Sequence, residues 1–220
     1  MRIGAVLPCV AWVYLVTRYA EEAAVSEQAG QLPPLDRWAF DAVGQAVRQL
    51  GWPGVVLPET RLFGCRVVPV VVLDLDAHRI REASGDGPRL DGETLAVWER
   101  PGAAGRVPAP LRLSGVLIPA RRGWRRALGE ARRWRGFGPA AVLVPPAAPI
   151  DDVCRWEFAF HGVGLVSGDC VAEDPAGPIV PAEPGRRASA RRSTVDRWVE
   201  ETLYQQALDA GHYSLADRPS

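Results

Sequence analysis

The stretch from Leu113 to Leu165 constrains this 220-residue chain more than any other. Apolar runs alternate there with amphipathic segments. Ser114 to Pro119 and Ala140 to Val144 have the length and the branched side chains of buried strands. Between them, Trp124, Ala127, Leu128, Ala131 and Trp134 recur at three and four and share one helical face. Strand, helix and strand in that order predict a right-handed crossover, because a parallel neighbour cannot be reached through a tight turn. Asp151 or Asp152 is placed to cap a second helix with Val153, Trp156 and Phe160 as its apolar residues, and Gly162 to Val166 reads as a third strand. The fold class is therefore α/β, with a mixed central sheet and flanking helices.

Upstream, Asp36 opens an amphipathic helix that ends at Gly51, and Gly54 to Leu57 reads as a short strand before Pro58 and Glu59. Arg66 to Leu75 is the most β-branched run and predicts a central strand, with Pro69 requiring an unpaired or bulged edge. The Gly- and Pro-rich residues 79–112 are expected to form an insertion, an added hairpin and mobile loop with a strand at Thr94 to Glu99. Residues 1–34 read as an apolar segment and helix, 35–170 as the α/β domain, 171–192 as a linker, and 193–220 as a C-terminal helix and tail. Ser193 or Thr194 caps that last helix, whose apolar side is Val195, Trp198, Leu203 and Ala207. Ile3 to Val16 is apolar in the manner of a secretory signal or anchor. It is too short to span a bilayer comfortably and no convincing small-residue cleavage site follows, so a packed element or an over-extended start is the expectation over export or anchoring, with no membrane partner.

Formal net charge is zero, and all 26 basic residues are arginine. Without lysine the chain has no Schiff-base lysine, no lysine general base and no phosphate-loop lysine. Cys9, Cys65, Cys154 and Cys170 show neither CxxC pairing nor zinc spacing, which suits free thiols in a cytoplasmic protein. Seven arginines crowd Arg121 to Arg135. Arg122, Arg125, Arg126, Arg132 and Arg133 could hold phosphates of DNA or RNA, with Trp124 or Trp134 stacking on bases. Equally, the tryptophans are the core face and the arginines the solvated one. Arg186, Arg187, Arg191 and Arg192 form a second basic cluster.

The element order from Leu35 to Asp169 resembles the PD-(D/E)XK, or restriction-endonuclease-like, superfamily. The resemblance rests on Pro119-Ala120-Arg121, then Trp124 to Ala131, Ala141 to Pro145, and Gly162-Val163-Gly164-Leu165. It implies a nuclease-like core in which two carboxylates on adjacent strands hold Mg²⁺ and a lysine positions water. Glu59, Asp74, Arg121 and Glu130 stand at the corresponding positions, but Pro119 and Arg121 replace the Glu-X-Lys pair. Proline ligates nothing, and arginine stays protonated.

Separately, Asp74, Asp76 and His78 alternate, so an extended backbone would turn all three toward one metal ion; a strand running into a solvated turn explains them as well. The expectation is a catalytically degenerate subunit that binds nucleic acid or a partner, as in a defence or mobile-element system, with no cofactor. Two alternatives stand beside it. One is an active Mg²⁺-dependent nuclease with a relocated carboxylate, Glu99 or Glu130. The other is a module that binds a protein partner through the insertion or the C-terminal helix.

Overall fold

The computed structural model describes residues 37–98, 107–146, 148–168, 177–185 and 193–213. In chain order the elements are α1 (Arg37–Gln49), β1 (Val55–Val56), β2 (Thr60–Leu62), β3 (Cys65–Leu73), α2 (Leu75–Ala83), α3 (Gly92–Trp98), β4 (Leu111–Pro119), α4 (Trp124–Trp134), β5 (Ala140–Val144), α5 (Asp152–His161), β6 (Gly164–Ser167) and α6 (Thr194–Asp209). They build a six-stranded mixed sheet ordered β1-β3-β4-β5-β6, with β2 also paired to β3. β3 and β4 are antiparallel, whereas β4, β5 and β6 run parallel. The crossover expected between β4 and β5 is α4, and α5 makes the next one.

Both faces of the sheet are covered, which is why β5 and the stretches Val67–Val71 and Gly115–Pro119 of its neighbours are apolar without interruption. Successive residues divide between the faces. Val116, Ile118, Val142 and Leu165 meet α4, α5 and α6, while Leu117, Ala141, Leu143 and Val166 meet Ala42, Val43, Ala46 and Val47 of α1. Gly115 is bare for a reason: a Cβ there would lie 2.5 Å from the Trp52 ring. Pro69 sits where the outer partner of β3 changes from β2 to β1, and the register with β4 shifts between Val70 and Val71. Its missing N–H is accommodated at that break, as the sequence requires.

Several expectations give way. The central strand stops at Leu73, because Asp74 turns the chain by accepting a hydrogen bond from Ala77 N (2.9 Å) and capping α2. Thr94 to Trp98 belongs to helix α3, where Asp91 caps Thr94 N at 2.7 Å and Leu95 enters the core; no hairpin stands among the described residues 75–98. The described part of the supposed linker is packed: Leu165 and Val180 exchange backbone hydrogen bonds at 2.9 and 3.2 Å. α6 has the expected cap, a capping box between Ser193 and Asp196, and its Trp198, Leu203 and Ala207 join the main core. Among the described residues no helix is long and apolar enough to cross a membrane.

α6 is also anchored by charge. Arg81 of α2 donates to Glu201 through Nη1 (2.8 Å) and Nη2 (2.9 Å), with side chains 1% and 0% exposed. The Arg89 amide donates to the same carboxylate at 3.1 Å, and Arg81 also serves the carbonyls of Asp86 and Gly87. Removing one member strands its partner in a medium that solvates it poorly. Glu201→Gln should therefore lower the free energy of unfolding by about 3 kcal/mol in urea titrations. Arg81→Met combined with Glu201→Leu should recover part of that loss, since the Arg81 charge leaves with its partner while the buried Arg197, 3.8 Å from Glu201 Oε1, still loses a neighbouring carboxylate.

Candidate functional site

At the C-terminal end of β4 the chain leaves the sheet through Ala120, whose N–H still donates to Leu143 O at 2.8 Å. Arg121, Arg122 and Gly123 then turn directly into α4. The antiparallel hairpin of β2 and β3 closes the other side. Its two-residue turn, Phe63 and Gly64, has both φ values positive (50 and 72°) and pairs Arg61 directly opposite Arg66. Like charges facing each other across a ladder destabilise it, so an anion is expected nearby. Glu59 supplies one: its carboxylate, only 7% exposed, lies 3.2 Å from Arg66 Nη2 and accepts from Arg121 Nη2 at 3.1 and 3.0 Å. A cleft of ≈ 320 Å³ opens beside this triad, lined by Arg61, Arg66, Arg121, Arg122, Arg126 and Glu130.

The cleft carries a surplus of positive charge. Five arginines surround it against Glu59 and Glu130, and Glu130 is itself held by Arg126 Nε at 3.1 Å. Arg61 and Arg122 have no acidic partner among the described residues. Gly123, at φ 90°, is the N-cap of α4 but offers no side chain to cap it, and the first turn holds no acid. The positive end of α4 therefore adds to the field of the arginines. Behind the cleft, burial pushes the Cys65 thiol up from its ordinary value, with Arg133 Nη1 donating toward Sγ at 3.8 Å. A thiol kept protonated is no nucleophile.

Of the four residues expected at a nuclease-like centre, three gather here: Glu59, Arg121 and Glu130. Asp74 does not join them. It follows the far end of β3, where Leu73 pairs with Leu111, while Arg66 at the near end meets Glu59. The alternating metal triad also dissolves, because the backbone after Leu73 is helical. Asp74 is engaged as a cap, Asp76 is exposed and pairs with Arg79 at 3.2 Å, and His78 is buried with Nδ1 2.9 Å from the Tyr204 hydroxyl. No group of three or more metal-ligating side chains occurs among the described residues, and Glu99 lies outside them. A two-carboxylate Mg²⁺ site does not fit the cleft either, since each of its glutamates already has an arginine partner.

The helix arginines divide between two flanks of α4. Arg126 and Arg133 face the hairpin, beside Glu130 and Cys65. Arg125 lies on the flank toward α5, 3.9 Å from Glu157, and Arg132 follows it two turns later. Trp134 is buried and the half-buried Trp124 packs on Phe158 with ring centroids 6.0 Å apart, so both belong to the core rather than to a stacking platform. The second basic cluster, Arg186 to Arg192, lies outside the described residues. Arg61 and Arg66 are members of the site that sequence reasoning missed. Their one signal was the spacing Arg-Leu-Phe-Gly-Cys-Arg, a hairpin whose Phe-Gly turn lacks the usual Asn-Gly or Asp-Gly mark.

No family model, curated protein or solved structure matches the chain. The functional reading therefore rests on the geometry.

That geometry makes Glu59 the counter-ion that allows Arg66 and Arg121 to approach each other. Glu59→Gln should lower stability by about 1–3 kcal/mol in thermal or urea unfolding. Added phosphate should restore part of the loss and should raise the melting temperature of the variant more than that of the wild type.

Proposed function

We propose that the protein is a non-catalytic nucleic-acid-binding subunit built on a degenerate restriction-endonuclease-like core, and that it grips backbone phosphates in the arginine cleft. The observation that carries this reading is the convergence of Arg61, Arg66, Arg121, Arg122 and Arg126 around one cleft with only two acids, both already paired. Phosphate diesters suit such a surface, because guanidinium forks and an uncapped helix terminus both favour oxyanions. The parallel β4–β5 pair with α4 between them, flanked by antiparallel β3, agrees with the layout that the resemblance implies. Within that layout the cleft occupies the strand end where a nuclease would hold its metal. Here Arg121 binds Glu59 instead, and the third carboxylate, Asp74, caps a helix elsewhere. The result is a surface that binds phosphates without the ligands needed to cleave them.

Binding of this kind releases condensed counterions, so log affinity falls linearly with log salt. Arg61 and Arg122 are the suitable probes, since neither holds an acidic partner among the described residues. Arg61→Gln with Arg122→Gln should make the salt slope shallower by roughly two, with little change in melting temperature. An unchanged slope in the folded double variant, or no binding at low salt, refutes the proposal.

The same preparation incubated with Mg²⁺ or Mn²⁺ should leave DNA and RNA uncut. Cleavage that vanishes in Glu59→Gln or Asp74→Ala would restore the nuclease alternative.

A further inference from the structure

α5 was expected to bury Val153, Trp156 and Phe160, yet the helix sits on Cys154 and Phe158 instead. Val153, Trp156 and Phe160 are 53, 64 and 70% exposed, and the last two are the exposed large aromatic side chains among the described residues. They stack on each other, ring centroids 5.2 Å apart and planes 17° from parallel. The helix has 3.6 residues per turn, so Glu157 lies on its circumference between the buried Cys154 and Phe158 and the stripe of Val153 and Phe160. Glu157 is also the residue that meets Arg125 of α4, at 3.9 Å. The aromatic stripe therefore borders α4 on the flank that carries Arg125 and Arg132. Arg125 is pre-ordered there, its guanidinium lying over the Trp124 ring at 4.6 Å.

We infer that this face of α5 and α4 binds single-stranded nucleic acid, with unpaired bases stacked on Trp156 and Phe160 and the neighbouring phosphates held by Arg125 and Arg132. The inference rests on the nucleic-acid reading above and narrows it. Two exposed, mutually stacked rings beside two cations offer what an unpaired strand presents in alternation, a π-face and a phosphate. A duplex hides its base faces and could use only the arginines. A second copy of the chain suits the patch less well. The stripe exposes roughly 350 Å² of apolar surface, against the ~800 Å² per partner of a standard stable interface, and the adjoining arginines would repel their own copies.

The test uses the full chain, a fluorescent oligothymidylate and a duplex of equal length, both titrated at low salt by fluorescence anisotropy. The single strand should bind more tightly than the duplex. Trp156→Ala should weaken single-strand binding about tenfold and leave duplex binding unchanged. Phe160→Ala should act in the same direction, and Trp156→Phe, which keeps a ring, should retain most of the affinity. Both positions are exposed, and unchanged melting temperatures confirm that the variants fold. Trp156→Ala binding the oligothymidylate as well as wild type overturns the inference, as does wild-type dimerisation in sedimentation that Trp156→Ala abolishes without affecting strand binding. If strand and duplex bind equally and respond only to Arg61→Gln with Arg122→Gln, the cleft reading survives and this one does not. If neither nucleic acid binds wild type, both fall.

Discussion

Parallel pairing of β4 with β5 and of β5 with β6 is the constraint on which the remaining structure depends. Parallel neighbours need long return connections, and here these are α4 and α5, packed on one face of the sheet. With one face so covered, the other must find its own cover, which α1 supplies. The ground left under β4 on the first face is filled by α6, the element farthest away in sequence. Where the sheet is covered on both sides polar side chains are excluded, and β5 is buried at every position. The same crossover decides where chemistry can occur. The end of β4 must lead into the start of α4 within a few residues, so Arg121, Arg122 and an uncapped helix terminus are forced into one place.

Charge is handled differently at the two ends of the sheet. At the Leu111 end, Arg81 and Glu201 are sealed together with hydrogen bonds to neighbouring carbonyls and an amide, which fixes α6 against α2. The Tyr204 ring lies 4.8 Å from the same guanidinium, and burial raises the Tyr204 hydroxyl above its ordinary value, so that hydroxyl serves His78 as a neutral hydrogen-bond partner. At the Pro119 end the charges are not balanced. Glu59 neutralises part of the arginine cluster and leaves the rest facing solvent. The first arrangement holds structure and the second leaves a field available to a ligand.

That contrast also separates what the sheet needs from what a metal centre would need. The sheet needs only apolar side chains and crossovers. A metal centre needs three or so groups at one strand end, and here one acid is at the wrong end of β3 and the others have guanidinium partners. Arg121, which stays protonated, closes on Glu59. Arg61 and Arg122 leave the cleft with a surplus of positive charge.

Periodicity in the sequence determined much of this protein by itself. The β4–α4–β5–α5–β6 run, helix α1, the break at Pro69 and the Ser193 cap of α6 were all legible, because strand and helix periods, proline's missing donor and capping hydrogen bonds act within a few residues. Three residues that the sequence singled out, Glu59, Arg121 and Glu130, stand together at the cleft, while Asp74, named with them, does not. The tertiary structure decided the rest. Whether α5 buries Cys154 and Phe158 or Val153, Trp156 and Phe160 cannot be read from the helix, since both stripes are apolar and the sheet has room for one. Asp74 could continue a strand or cap a helix; it caps α2, whose Arg81 meets a buried partner in Glu201, 120 residues later. Arg61 and Arg66 entered the cleft through a hairpin register, and Glu59 was committed by arginines from two other segments. Local propensity reports what a residue can do; the partners that reach it across the fold settle which of those things it does.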